Sequence, residues 1–194
     1  QEATCGCGEA TCGICEPGCG IEPGCGYVEP GCGVEPGCGL EPGCGMEGCV
    51  DCGDVDANGF PDIFVTNFSE ELNTLYSNLG EGLFEDVTTK AGLGSGFIPL
   101  GFGTKMFDLD NDGDLDLHVT NGHVIDNVKL YQPNLSYAQK DLLYENVGGR
   151  FRDVSAQSGP ALQAVRVGRG LAVADFDNDG NLDVVISSVG RPAV

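Results

Sequence analysis

Asp108-Leu109-Asp110-Asn111-Asp112-Gly113-Asp114-Leu115-Asp116 is the stretch on which the reading of this chain turns. Carboxylates alternate with other residues, and glycine holds the sixth position. Such a run is a poor strand and a poor helix, because Asp resists both and like charges repel. It makes sense as a loop wrapped around a hard cation. Calcium takes roughly six to eight oxygen ligands, and side chains at positions 1, 3 and 5 with a backbone carbonyl at position 7 supply them. Gly113 fits the sharp turn, where a β-carbon would be strained.

The pattern occurs three times. Asp175-Phe-Asp177-Asn-Asp179-Gly180-Asn181-Leu-Asp183 repeats it in full, and Asp54-Val-Asp56-Ala-Asn58-Gly59-Phe60-Pro-Asp62 repeats it with Asn at position 5. A single copy reads equally well as a solvated acidic turn, but three copies at one spacing do not. An EF-hand needs Glu at position 12 and a helix after the loop. Position 12 here is Val65, Val119 and Ile186. The residues that follow, such as Leu115-Asp-Leu-His-Val-Thr120, are short, apolar and β-branched, and read as strands. Asp62, Asp116 and Asp183 at position 9 then replace the missing Glu. The expected calcium ligands are Asp54, Asp56, Asn58, Phe60 and Asp62; Asp108, Asp110, Asp112, Asp114 and Asp116; and Asp175, Asp177, Asp179, Asn181 and Asp183. At Phe60, Asp114 and Asn181 the backbone carbonyl is the expected donor. Loop one, with neutral Asn58, has one carboxylate fewer among its side-chain ligands and is expected to bind weakest.

The 194 residues suffice for one domain and an appendage. Formal net charge is −21 from 30 acids and 9 bases, and three bound calcium ions would bring −21 to −15. That acidity argues against nucleic acid and anionic membrane as partners, because no basic patch exists to release counterions. No apolar run is long enough to span a bilayer. No secretory signal is visible, although Gln1 is compatible with a processed N-terminus.

All 11 cysteines fall within the first 52 residues. Residues 1–48 are low in complexity, built on Cys-Gly-apolar-Glu-Pro-Gly units from Cys19 onward. Pro-Gly is type II turn chemistry, and a turn every few residues forbids helix and long strand. Ile21, Val28, Val34, Leu40 and Met46 are too few for a core. Three readings stay open here: a Gly/Pro spacer, a disulfide-stapled rod, and a thiolate metal cluster using Cys12-x-x-Cys15 and Cys49-x-x-Cys52. An odd cysteine count leaves one thiol available for an inter-chain disulfide and self-association.

From Cys49 onward the chain repeats. Gly101-x-Gly103 and Gly168-x-Gly170 precede the second and third loops. Leu75-Tyr-Ser-Asn78-Leu-Gly80 with Phe84-Glu-Asp86-Val-Thr88 recurs as Leu143-Tyr-Glu-Asn146-Val-Gly148 with Phe151-Arg-Asp153-Val-Ser155. Short strands between turn residues, repeated at this length, predict an all-β fold of propeller blades. DLDNDGDLDLHVTNGHV, DFDNDGNLDVV, LYSNLGEGLFEDVTTKAG and LYENVGGRFRDVSAQSG resemble the FG-GAP/VCBS-type repeats of secreted propellers of the cartilage acidic protein-like kind. The resemblance covers about residues 49 to 194. It implies a calcium-stabilised β-propeller outside the cell or at its surface (a periplasmic site fits too), used for adhesion or for binding a protein or glycan. Two rival classes are a cysteine-crosslinked filament or envelope protein and part of a propeller enzyme. No nucleophile triad, phosphate loop or His-Glu-x-x-His motif supports catalysis, and His118 and His123 read as structural.

Two repeat units and the start of a third are fewer than the roughly four to eight blades of a closed propeller, so a partial propeller is expected. Asp54 to Leu75 spans 21 residues, whereas Asp108 to Leu143 spans 35. The extra 14 enter after the second calcium strand, between about His123 and Leu142. Lys129, Tyr131, Gln132, Asn134, Tyr137 and Lys140 there suit a partner-facing loop. Asn67-Phe-Ser69 and Asn134-Leu-Ser136 fit the glycosylation sequon.

Overall fold

The structure, a computed structural model, describes residues 49–194. The spacer and rod readings of residues 1–48 lie outside the described residues, as does Cys12-x-x-Cys15 of the thiolate-cluster reading, whose Cys49 and Cys52 are buried. Strand β1 (Val50–Gly53) pairs with β2 (Asp62–Val65), then β3 (Thr74–Asn78) and β4 (Phe84–Asp86), in an antiparallel meander. The second sheet repeats this with β5 (Gly101–Phe107), β6 (Asp116–Asn121), β7 (Leu142–Asn146) and β8 (Phe151–Asp153). A third begins with β9 (Gly168–Ala174) and β10 (Asp183–Ser188). Residue order within each sheet follows chain order, as in a propeller blade. After β10 the chain turns back, and Ile186 and Val194 exchange backbone hydrogen bonds of 2.7 and 3.2 Å. Val194 thus faces Ile186 as Thr74 faces Val65 and Leu142 faces Val119.

The first strands of the sheets lie side by side, β1 beside β5 and β5 beside β9. Here the Gly-x-Gly pairs find their physical reason. A β-carbon on Gly101 would lie 2.7 Å from Thr66 Cβ, and one on Gly103 2.7 Å from the Leu171 nitrogen. Gly168 meets Thr120 in the way Gly101 meets Thr66. Asp51 supplies the polar tie between β1 and β5. It is buried, accepts the Met106 N–H at 2.6 Å, and pairs with Lys105 at 3.1 Å.

The main core lies between the first two sheets. Phe64 and Leu75 from the first pack with Leu117, Val119, Tyr144 and Phe151 from the second. Alternation along a strand sends successive side chains to opposite faces, so each sheet covers the back of the next. The effect is visible at equivalent positions: Tyr144 and Phe151 are 1% and 6% exposed, whereas Tyr76 and Phe84 on the first sheet are 38% and 45% exposed.

The insertion leaves β6 at the end opposite the acidic loop. Its polypeptide folds over that end, with a short 3-10 turn (Val128–Leu130) and buried Val128 and Leu135 as its own anchors. Its first residue, His123, is buried and packs edge-on against Phe68, in the connection between β2 and β3, at 5.6 Å.

The seam gives a direct test. Gly103→Ala pushes backbone against backbone and is expected to cost about 1–3 kcal/mol, as overpacking does. Gly94→Ala, with nothing within 4 Å of its β-carbon, is expected to stay within about 0.5 kcal/mol. Urea denaturation of the two variants makes the comparison; equal stabilities would refute the close-approach explanation.

Candidate metal centre

Each acidic loop joins the first two strands of its sheet, so that Gly53 faces Asp62, Phe107 faces Asp116, and Ala174 faces Asp183. The backbone of all three is folded alike. Position 4 has positive φ at Ala57, Asn111 and Asn178 (57°, 62° and 60°), and so does position 6 at Gly59, Gly113 and Gly180. This brings the N–H groups of positions 5 and 6 round to face the first aspartate. In loop two, Asp108 Oδ1 accepts the Asp112 N–H at 3.1 Å and Oδ2 accepts the Gly113 N–H at 3.1 Å. Loop one repeats this at Asp54 with 3.0 and 2.8 Å, and loop three at Asp175 with 3.1 and 3.0 Å. The aspartate at position 3 shares the same position-5 donor in every loop.

The result is convergence of three carboxylates per loop. Asp54, Asp56 and Asp62 bring ligand oxygens within 4.8 Å of one another, as do Asp108, Asp110 and Asp116, and Asp175, Asp177 and Asp183. These all-oxygen groups have the donor chemistry of a hard divalent cation. Position 5 is placed differently. Asp112, Asp179 and Asn58 each turn Oδ1 onto the position-7 N–H, at 2.9, 2.8 and 2.8 Å, and Asp112 and Asp179 stand outside the convergent triads. The position-7 side chains are also used elsewhere. Asp114 accepts the Gly148 N–H at 2.7 Å, and Asn181 donates to Asp179 at 2.9 Å. These contacts from Asn181 hold Asp179 below the usual carboxylate range.

Position 9 is the joint of the site. Asp62 Oδ2 accepts the Val55 N–H at 2.9 Å and Oδ1 the Asn78 N–H at 2.8 Å. Asp116 does the same with Leu109 and Asn146, both at 2.8 Å. Asn78 and Asn146 further donate from their side chains to the position-8 carbonyls of Pro61 and Leu115, both at 3.0 Å. The repeated Leu-Tyr-x-Asn segment therefore locks its own sheet's acidic loop. Asp183 has the loop contact, from Phe176 at 2.9 Å, and is exposed where Asp62 and Asp116 are buried. By charge loop one is the poorest of the three; by anchoring, loop three is.

Burial pushes the carboxyls of Asp62 and Asp116 above the usual carboxylate range, against their backbone donors and with the neighbouring aspartates adding to the rise.

Both histidines are buried, as read from the sequence. His118 Nε2 lies 3.7 Å from Asp141 Oδ2, which Arg166 Nη1 approaches to 3.4 Å. His123 Nδ1 accepts the Ile125 N–H at 3.0 Å, and burial holds its imidazole below the usual range. Asp141 and Arg166 had no motif to mark them. Of the two sequons, Asn67 donates to the Leu72 carbonyl at 2.6 Å and to Thr74 at 3.0 Å, whereas Asn134 is exposed.

A family model described as FG-GAP-like repeat matches residues 54–119 and 134–186. The chain belongs to that family. The unmatched residues between the two matches fall at the insertion after β6. Cartilage acidic protein 1 of Xenopus tropicalis is 28% identical over 130 residues, which is 66% of this chain and 17% of that protein. The chain thus spans a minor part of that relative. Among the described residues no helix is long and apolar enough to cross a membrane.

Two expectations follow for an FG-GAP-like chain with these loops. Ala57 bears a left-handed conformation that Asn tolerates better, so Ala57→Asn is expected to stabilise by about 1 kcal/mol in chemical denaturation without calcium; a loss would refute the strain. The second concerns pH. A carboxyl with a raised folded pKa adds stability that is complete below the unfolded value and lost as pH rises through the folded one. The metal-free chain therefore gives up the contribution of Asp62 and Asp116 on going from pH 4 to 7. Calcium needs the ionised forms, so the rise in Tm on adding calcium is expected to grow over that interval. A calcium effect on Tm equal at pH 4 and pH 7 would contradict this.

Proposed function

We propose that residues 49–194 form a calcium-stabilised propeller segment that serves outside the cell as a binding or structural module. The observation that carries the reading is the threefold recurrence of one loop geometry, in which aspartates 1, 3 and 9 converge on the same backbone frame. In each loop the ligands would be the aspartates at positions 1, 3 and 9. Asp112 and Asp179 at position 5 would add their remaining carboxylate oxygen, Asn58 only the single oxygen it already turns onto the Phe60 N–H, and Phe60, Asp114 and Asn181 their carbonyls. A bound ion supplies charge neutralisation, relieving the repulsion among carboxylates that the backbone donors only partly offset. Three equivalent oxygen sites, each furnished by one short loop, suit structural ions better than a catalytic metal, which keeps positions open for substrate.

The family supports an extracellular setting, and the affinity expected of such loops fits it. Modules of this type bind calcium at about 0.1–1 mM, a level met outside cells. A protein or glycan partner would meet the insertion, where Leu130 and Tyr131 are 79% and 73% exposed beside Lys129. An exposed tyrosine is a favoured interface anchor.

Calorimetric titration with calcium, with parallel melting curves, tests the proposal. Saturable binding in the range of about 0.1–1 mM is expected, with a higher Tm. Each site adds about 1.4 kcal/mol at ten times its Kd. A melting curve that chelation leaves unchanged would overturn it.

A further inference from the structure

The turn after β7 lies between acidic loops of two different sheets. Asn146 is fully buried there. Its N–H holds Asp116 of loop two at 2.8 Å, and its side-chain nitrogen donates twice. One bond goes to the Leu115 carbonyl of loop two at 3.0 Å; the other crosses to the Val55 carbonyl of loop one at 2.8 Å. Val55 is the residue whose N–H is held by Asp62. The next residues of the turn repeat the arrangement. Gly148 donates to Asp114 of loop two at 2.7 Å, and a β-carbon on Gly149 would lie 3.2 Å from Asp56 Cβ in loop one. Asn78, the counterpart in the first sheet, holds its own loop through Asp62 and Pro61.

From this bridge we infer that Asn146 couples cation binding in loops one and two, so that each loop binds more tightly when the other is filled. The inference rests on reading the loops as calcium sites. Ordering of loop two fixes Asp116, and with it the backbone of Asn146. A fixed Asn146 holds the Val55 carbonyl, and so the entrance of loop one beside Asp54 and Asp56. Gly149, on the same turn, leaves room for Asp56 where a β-carbon would crowd it. Ordering that one loop has already accomplished need not be repeated by the other, which is positive cooperativity without a change of fold. The effect is reciprocal by linkage. Asn146 is thus a positioning residue for loop one, to which it contributes no ligand. Among the described residues no hydrogen bond joins loop three to either of the others, so loop three acts as an internal control.

The test uses the full chain and calcium itself, followed by calorimetry. Loop three is first disabled with Asp175→Asn and Asp177→Asn to simplify the titration. Further disabling loop two with Asp108→Asn and Asp110→Asn is expected to weaken loop one about five-fold, the lower end for coupled sites. In Asn146→Ala, loop one is expected to be weaker by a similar factor, and disabling loop two to have no further effect. The affinity of loop three, measured with loops one and two disabled, is expected to be the same with and without Asn146→Ala. Should Asn146→Ala fail to fold, Asn146→Ser retains a single donor and serves in its place. If loop one binds equally well with loop two intact or disabled, the coupling is refuted and the calcium reading stands. If the effect of disabling loop two persists in Asn146→Ala, the bridge is not its route and the inference fails. If no loop binds calcium, the proposed function falls and the coupling with it.

Discussion

The two-sided hold on Asp62 and Asp116 is the constraint on which the rest of the structure depends. Each carboxylate spends one oxygen on the N–H at the entrance of its own loop and the other on the asparagine N–H that ends its sheet's third strand. One side chain thereby closes the loop, fixes the hairpin and sets the third strand against it. Hydrogen bonds to an ionised acceptor contribute about 1.5–3 kcal/mol each, enough to offset part of the penalty of burying the charge. The remainder shows as the raised proton affinity of these two groups. A cation at the loop would remove that conflict, and so the same residue joins architecture to ion binding.

Much of this was legible in the sequence. The alternating aspartates with glycine at position 6 revealed the loops, and the apolar residues after them revealed the hairpin strands. Leu-Tyr-x-Asn was visible as a repeat, but its purpose was not. Asn146 reaches Val55 across 91 residues, and no local spacing encodes such a contact. What position 5 touches was hidden for a different reason. The sequence shows an oxygen-bearing residue there, but the tight turn makes its nearest oxygen an acceptor for the N–H two residues on. The Gly-x-Gly pairs were visible as a repeat ahead of the loops, but not their reason: they lie inside strands, where Gly101, Gly103 and Gly168 are pressed by a neighbouring sheet.

The two interfaces between sheets differ in chemistry although the strands that build them are equivalent. Phe64 of β2 faces the second sheet in an apolar core. Its counterpart in β6 is His118, which lies 3.7 Å from Asp141, itself 3.4 Å from Arg166. Asp141 also accepts from Thr120 Oγ1 at 2.9 Å and from the Asn121 N–H at 3.2 Å. Arg169 adds a further tie, stacked over Phe102 at 4.0 Å and donating to the Gly122 and His123 carbonyls at 2.9 and 3.0 Å. Directional contacts of this kind fix orientation more strictly than apolar packing, and they secure the base of the insertion against the third sheet.

The glycines at the seam have a consequence for shape. Where Gly103 and Gly122 meet their neighbours the sheets approach backbone to backbone, and Gly101 and Gly168 make room for the Thr66 and Thr120 side chains, while large side chains such as Phe64, Tyr144 and Phe151 separate the sheets farther out. The spacing is therefore narrow on one side and wide on the other, and each sheet is a wedge. The taper sets the rotation from one repeat to the next, and such rotations add along an array. Four missing β-carbons thus act as a curvature gauge: they fix how tightly a row of these wedges bends around its axis.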